Sequence, residues 1–169
     1  MNIQKMVQAS LFAALIAICG WISLPIPPLT FTLQTLAVLM ALGILGGKWG
    51  SVSVLLYLLM GCVGLPVFSQ FRGGFGALLD ATGGFLWGFF LGALVFRAAQ
   101  KLGTLPAMVL CQLTVYLCGC LWFSHWAGNA GIVSAALTCV APYLIPDGIK
   151  LALAYRLSRR IGRQLRKQE

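Results

Sequence analysis

The chain has 169 residues, 60% of them hydrophobic and 9% charged, with a formal net charge of +9 at pH 7. A soluble domain carries about 25% charged residues, so this composition, with a mean hydropathy of +0.92, excludes one and describes an integral membrane protein. Three acidic side chains and one histidine leave little for an intramembrane enzyme to use, and at roughly 20 residues per helical span the expectation is a single all-α membrane domain of six crossings over residues 1–169.

The first span is expected at about 6–24. Lys5 and the apolar run after it look like a signal peptide. However, no small-x-small cleavage site precedes Pro25, and Ile18 stands before Cys19, so the segment reads as a retained helix. Ala9, Ala13 and Ala17 recur every four residues with Ala14 beside them, a spacing that lets another helix approach closely in lipid. That helix belongs either to this chain or to another protein. Leu24-Pro25-Ile26-Pro27-Pro28 ends the span. The second, about 32–46, carries Gln34 just inside its start. The amide of Gln34 offers two donors and an acceptor, to a ligand or to a neighbouring helix. Gly46-Gly47-Lys48 separates this span from a third at about 50–66. The tripeptide looks like the end of a phosphate-binding loop, but Trp49 replaces the required Ser/Thr, so the chain is not expected to use ATP by itself.

A glycine-rich connection from Phe71 to Gly84 follows. Arg72 stands beside Gly73, Gly74 and Gly76, which permit unusual backbone angles and close approach to a ligand; a solvated loop charge is the alternative. Asp80 and Thr82 flank the loop, with capping of the next helix as the competing role. Further spans are expected at about 84–101, ended by Gly103, and 105–124. Ile132 to Cys139, bounded by Gly131 and Pro142, is half a span long and reads as an interfacial or re-entrant piece. The last span, about 146–163, presents Asp147 and Lys150 on one face at i, i+3. A charge at membrane depth costs at least ~2.5 kcal/mol and usually marks a substrate path or ligand, although a structural ion pair would look the same. Tyr143 and Trp87 offer rings to a ligand or to the wall.

With a cytoplasmic N-terminus and six crossings, every one of the 12 basic residues except Arg72 and Lys150 falls on the cytoplasmic side, as the positive-inside rule requires. The basic tail over about 158–169 is part of that set, and a seventh crossing would expel it. Trp21, Trp87, Trp122 and Trp126 fall near outer ends and Trp49 near an inner one. The positive charge therefore reads as topology and contact with an anionic lipid bilayer; nucleic acid is not implied. The 6 cysteines lie in apolar runs, and Cys118-Gly119-Cys120 lacks the further ligands a metal needs. No metal and no cofactor are expected. Arg72, Lys150, Asp80, Asp147 and the glycine loop converge on one side of the membrane, as a water-facing pocket for a small, partly anionic ligand would require.

Four stretches carry a family resemblance: ISLPIPPLTFTLQTLAVLMALGIL from Ile22 to Leu45, LLMGCVGLPVF from Leu58 to Phe68, RGGFGALLDATGGFLWG from Arg72 to Gly88, and VAPYLIPDGIKLALA from Val140 to Ala154. Here the chain resembles the BioY family, the biotin-binding S-components of energy-coupling factor (ECF) vitamin transporters. The Pro-Asp-x-x-Lys and Thr-Gly-Gly-Phe elements make the match specific. Asp80-Ala81 stands where the pattern leads one to expect Gly-Pro. The resemblance implies a multi-pass plasma-membrane protein that captures biotin from outside and is not itself an enzyme. It also implies that Ala9, Ala13 and Ala17 dock onto a transmembrane coupling protein (T-component) bound to two ATP-binding-cassette ATPases.

Biotin has a ureido ring and an aliphatic tail ending in a carboxylate. Under this reading Asp147 accepts the ureido N–H groups, and Lys150 and Gln34 donate to ligand oxygens. Arg72, with Gly73, Gly74 and Thr82 around it, meets the tail carboxylate or forms the lid, and Tyr143 packs on the ring. Lys150 and Arg72 can exchange these roles as far as sequence goes. The rivals are an S-component for thiamine or riboflavin and an intramembrane head-group transferase.

Overall fold

A computed structural model describes residues 3–26, 29–128 and 131–165; Pro27, Pro28 and the tail from Arg166 to Glu169 lie outside the described residues. Helix α1, Ile3–Trp21, buries Ala9, Ala13, Ile16, Ala17 and Gly20 on one face. Small side chains there allow close backbone approach in the absence of a hydrophobic drive between helices. The partner is α2, Gln34–Cys62, whose Gln34 side chain would lie 2.7 Å from a Cβ at Gly20.

Between α1 and α2 the chain forms two antiparallel strands, β1 Ser23–Ile26 and β2 Leu29–Thr32, with Ser23 opposite Thr32 and Leu24 opposite Phe31. Sequence reading gave Leu24 to Pro28 only as a terminator and began the next span at Thr32. The alternating Thr30-Phe31-Thr32 is nevertheless a strand pattern, built from β-branched and aromatic residues.

Helix α2 is not one rod. Gly46 has φ 78 and ψ 168, a backbone region that glycine enters without strain. A Cβ at Gly50 would lie 2.7 Å from the Leu42 Cα. Residues eight apart along a straight helix are about 12 Å apart, so the chain reverses at Gly46 into two antiparallel arms. The break falls where Gly46-Gly47-Lys48 was expected to separate two spans. Among the described residues, five helical stretches are long and apolar enough to cross a membrane: Ile3–Trp21, Gln34–Cys62, Gly83–Leu102, Thr104–Trp126 and Ile132–Gly162.

After α2 the chain loops through a 3-10 turn, Ser69–Phe71, and a one-turn helix, α3, Gly76–Leu79. Helices α4, Gly83–Ala99, and α5, Thr104–Trp126, then pack against each other along a column of glycines. A Cβ at Gly84 would meet Trp122 at 2.2 Å, one at Gly88 the Val115 Cα at 3.0 Å, and one at Gly92 the Cys111 carbonyl at 3.0 Å. This four-residue spacing brings two helices together in lipid. Helix α6, Ile132–Cys139, is short and largely exposed, with Ala135 and Cys139 buried. Helix α7, Leu144–Leu165, places Asp147, Lys150, Ala154 and Ser158 on one buried stripe, at the spacing that keeps side chains on one helix face. The core beneath is built by Ile16, Leu39, Leu42, Tyr57, Phe89, Phe96 and Met108 among others.

Candidate ligand-binding site

The β-hairpin, the loop after α2, and helices α4, α5 and α7 surround a cavity that opens to solvent. Its apolar walls are Phe68, Phe85, Leu86, Phe89 and Val115. Polar groups enter at a few points.

One is the buried α7 ion pair. Lys150 Nζ lies 2.7 Å from Asp147 Oδ1, with the two side chains 6% and 10% exposed. The ammonium also donates to the Thr32 carbonyl at 2.7 Å and to Thr35 Oγ1 at 3.4 Å, and lies 3.8 Å from the centre of the Phe31 ring. An ammonium has three N–H donors, and each now has an acceptor. On the other oxygen of Asp147, the Tyr116 hydroxyl donates at 2.8 Å and Gln112 Nε2 at 3.3 Å. Burial of two charges is tolerated only when their remaining hydrogen bonds are met, and α5 and the hairpin meet them. The pair therefore ties α7 to both neighbours while keeping the carboxylate on the cavity wall.

Gln34 is also buried on that wall; its amide donates to the Tyr57 hydroxyl and its oxygen accepts from Thr32 Oγ1 at 3.3 Å. The ring of Tyr143 stacks on Phe31, centroids 6.2 Å apart. Arg72 lines the mouth, donating to the Asp80 carboxylate and, at 3.2 Å, to Thr82 Oγ1. Asp80-Ala81, the departure from the family pattern, thus gives Arg72 a counter-ion. Thr82 occupies the N-cap position of α4 without capping it, because its hydroxyl serves the guanidinium.

The loop carrying Arg72 is clasped to the hairpin and to the end of α1. Gln70 Nε2 donates to Thr30 Oγ1 at 2.8 Å, Trp21 Nε1 donates to the Pro66 carbonyl at 2.8 Å, and the Trp21 and Phe71 rings stack at 5.2 Å. Gln70 and Phe71 both have left-handed φ, 59 and 57, which costs non-glycine residues about 1–3 kcal/mol each; the clasps hold them there.

Of the residues singled out from sequence, Asp147, Lys150, Arg72, Gln34, Thr82 and Tyr143 all line the one cavity. Gly73 and Gly74 are not among its lining residues. Gly73 is required because a Cβ would meet the Leu65 carbonyl at 2.3 Å, and Gly74 because its φ is +88; they shape the loop that aims Arg72. The alanine column also lies elsewhere than the docking expectation put it. Ala9, Ala13 and Ala17 are 0%, 1% and 5% exposed, covered by α2, so the helix their spacing admits belongs to this chain. Gln112 and Tyr116, one turn apart on α5, escaped the sequence reading. The criterion that found Gln34, a polar residue inside an apolar span, would have found them.

This fold and site define a class: a helical membrane protein whose helices surround a cavity with a buried ion pair in its wall and an arginine among its lining residues. The profile of the BioY family matches residues 1–167, and the chain belongs to that family. It is 30% identical over 161 residues to a probable biotin transporter BioY of Pyrococcus horikoshii, covering 95% of this chain and 98% of that one. It is 34% identical over 174 residues to the biotin transporter BioY of Rhodobacter capsulatus, covering 90% of each. With the biotin transporter BioY of Thermotoga maritima, 46% identity extends over 92 residues, about half the length of either chain, 54%. The crystal structure of the S-component for biotin from an ECF-type ABC transporter superposes with a TM-score of 0.87 at 25% identity, covering 100% of this chain and 95% of that chain.

Proposed function

We propose that this chain binds biotin in the cavity between the hairpin and helices α4, α5 and α7, and delivers it across the membrane as the substrate-specific subunit of an ECF-type transporter. The observation that carries the reading is the Asp147 carboxylate, held on an apolar cavity wall by Lys150, Tyr116 and Gln112. A fixed acceptor of this kind suits the N–H donors of a ureido ring. Gln34 keeps one amide N–H beyond its bond to Tyr57 and supplies a donor for the ureido oxygen. The Lys150 donors are all engaged, so its role is to hold the Asp147 carboxylate in place. Arg72 then takes the tail carboxylate at the cavity mouth, where its guanidinium now bonds Asp80, Thr82 and the Ser69 carbonyl.

We read six crossings, α1, the two arms of α2, α4, α5 and α7, with both termini cytoplasmic, the cavity facing outward and α6 lying at the outer interface. Transport is driven by a transmembrane coupling protein and two ATP-binding-cassette ATPases. The small residues that α1 leaves exposed to such a partner are Ser10 and Ala14, one turn apart on the side away from α2. The deciding experiment is radiolabelled biotin binding to the purified chain with competition by desthiobiotin, thiamine and riboflavin. Desthiobiotin, which keeps both the ureido group and the carboxylate, should displace the label, and the other two should not. An absence of saturable biotin binding, or displacement by thiamine, would sink the proposal.

A further inference from the structure

Two ion pairs stand at this site, and they differ in a way that bears on ligand selection. Asp147–Lys150 is buried, with side chains 6–10% exposed, and every ammonium donor is engaged; separating it would leave an uncompensated charge in an apolar setting. Arg72–Asp80 is 35% and 39% exposed. Water reaches both partners, so a pair of this kind contributes little and can be exchanged at small cost. The guanidinium lines the cavity, whereas Asp80 is not among the lining residues. Asp80 is moreover anchored independently of Arg72: its Oδ1 accepts the Ala81 N–H at 2.7 Å, and its carbonyl accepts Trp122 Nε1 at 2.9 Å. When Arg72 lets go, Asp80 remains where it is, half in solvent.

We propose that Asp80 is an internal competitor for the ligand carboxylate: it holds the Arg72 guanidinium at the cavity mouth until an entering carboxylate takes its place, and so sets the affinity for acids relative to uncharged analogues. This rests on the biotin reading above. An entering carboxylate meets a cation already bonded by another carboxylate, so part of its attraction is offset by the bond it displaces. An ester or amide of the same ligand does not compete for Arg72 and is indifferent to Asp80. The opposite role, in which Asp80 orients Arg72 toward the ligand, predicts the reverse sign on substitution.

The test uses the full chain in detergent or nanodiscs and measures equilibrium binding of biotin and biotin methyl ester to wild type, Asp80→Asn, Arg72→Gln and the double variant. Asparagine keeps the oxygen that accepts the Ala81 N–H and removes the charge. Asp80→Asn should bind biotin about two- to fivefold more tightly, the range an exposed ion pair spans, with the ester unchanged. The gain should vanish in the Arg72→Gln background. Unchanged or weaker biotin binding by Asp80→Asn, or an equal gain for the ester, overturns the inference while leaving the biotin reading intact. Failure of the wild-type chain to bind either ligand overturns the biotin reading and the inference with it.

Discussion

Truncating Lys150 to alanine would leave the Asp147 carboxylate, 10% exposed, with only the Tyr116 and Gln112 donors. Removing one member of a buried pair costs about 3–5 kcal/mol, so Lys150→Ala should lower thermal stability sharply and abolish biotin binding together. Replacing both partners, Asp147→Leu with Lys150→Met, should restore most of that stability and leave binding absent. A double variant that still binds biotin would show that the ligand does not use this pair. Tyr116→Phe is the finer probe. It removes one charge-assisted bond at 2.8 Å and should weaken biotin binding by about 1–3 kcal/mol, as read by titration of the purified chain.

At the scale of elements, two helix faces make opposite demands. On α1, Ala13 is 1% exposed against α2, whereas Ala14, the next residue, is exposed. Ala13→Trp should therefore disrupt folding, detected as loss of a monodisperse species and of biotin binding. Ala14→Trp should leave both intact; if it also abolishes co-purification with a coupling protein, the exposed side of α1 is the docking face. The α4–α5 pair depends on Gly84, Gly88 and Gly92. At Gly88 a Cβ alone would lie 3.0 Å from the Val115 Cα, so Gly88→Leu must separate the helices. Overpacking of this kind typically costs about 1–3 kcal/mol and should appear as a lowered unfolding temperature.

At the scale of the whole molecule, the clasp between the hairpin and the Arg72 loop borders the cavity, which Thr30 and Arg72 both line. Gln70→Ala or Thr30→Val removes the 2.8 Å bond between them. A net hydrogen bond of about 0.5–1.5 kcal/mol corresponds to a dissociation rate raised roughly two- to tenfold, measurable by chasing bound radiolabelled biotin. A rate unchanged in both variants would show that this loop does not move when ligand leaves.

The sequence by itself determined where the chain is apolar enough to cross a membrane, where it breaks, and which charges had to be explained. Those are local properties: Gly46-Gly47-Lys48 interrupts a helix wherever it lies, and Asp147 and Lys150 are costly in any apolar span. That Asp147, Lys150, Arg72, Gln34, Thr82 and Tyr143 line one cavity was partly legible because the charged and amide groups among them break a local pattern. Tertiary structure alone decided which faces meet. It turned the alanine column inward, because small side chains admit a helix without specifying whose. It raised β1 and β2 from a proline-rich terminator, delivering the Thr32 carbonyl to Lys150 across 118 residues of chain. It also gave Lys150 a full set of acceptors and Arg72 a carboxylate partner, which separates a cation that holds the site together from one still able to exchange its bond. Saturation of a donor depends on every neighbour at once, and no spacing along a chain records it.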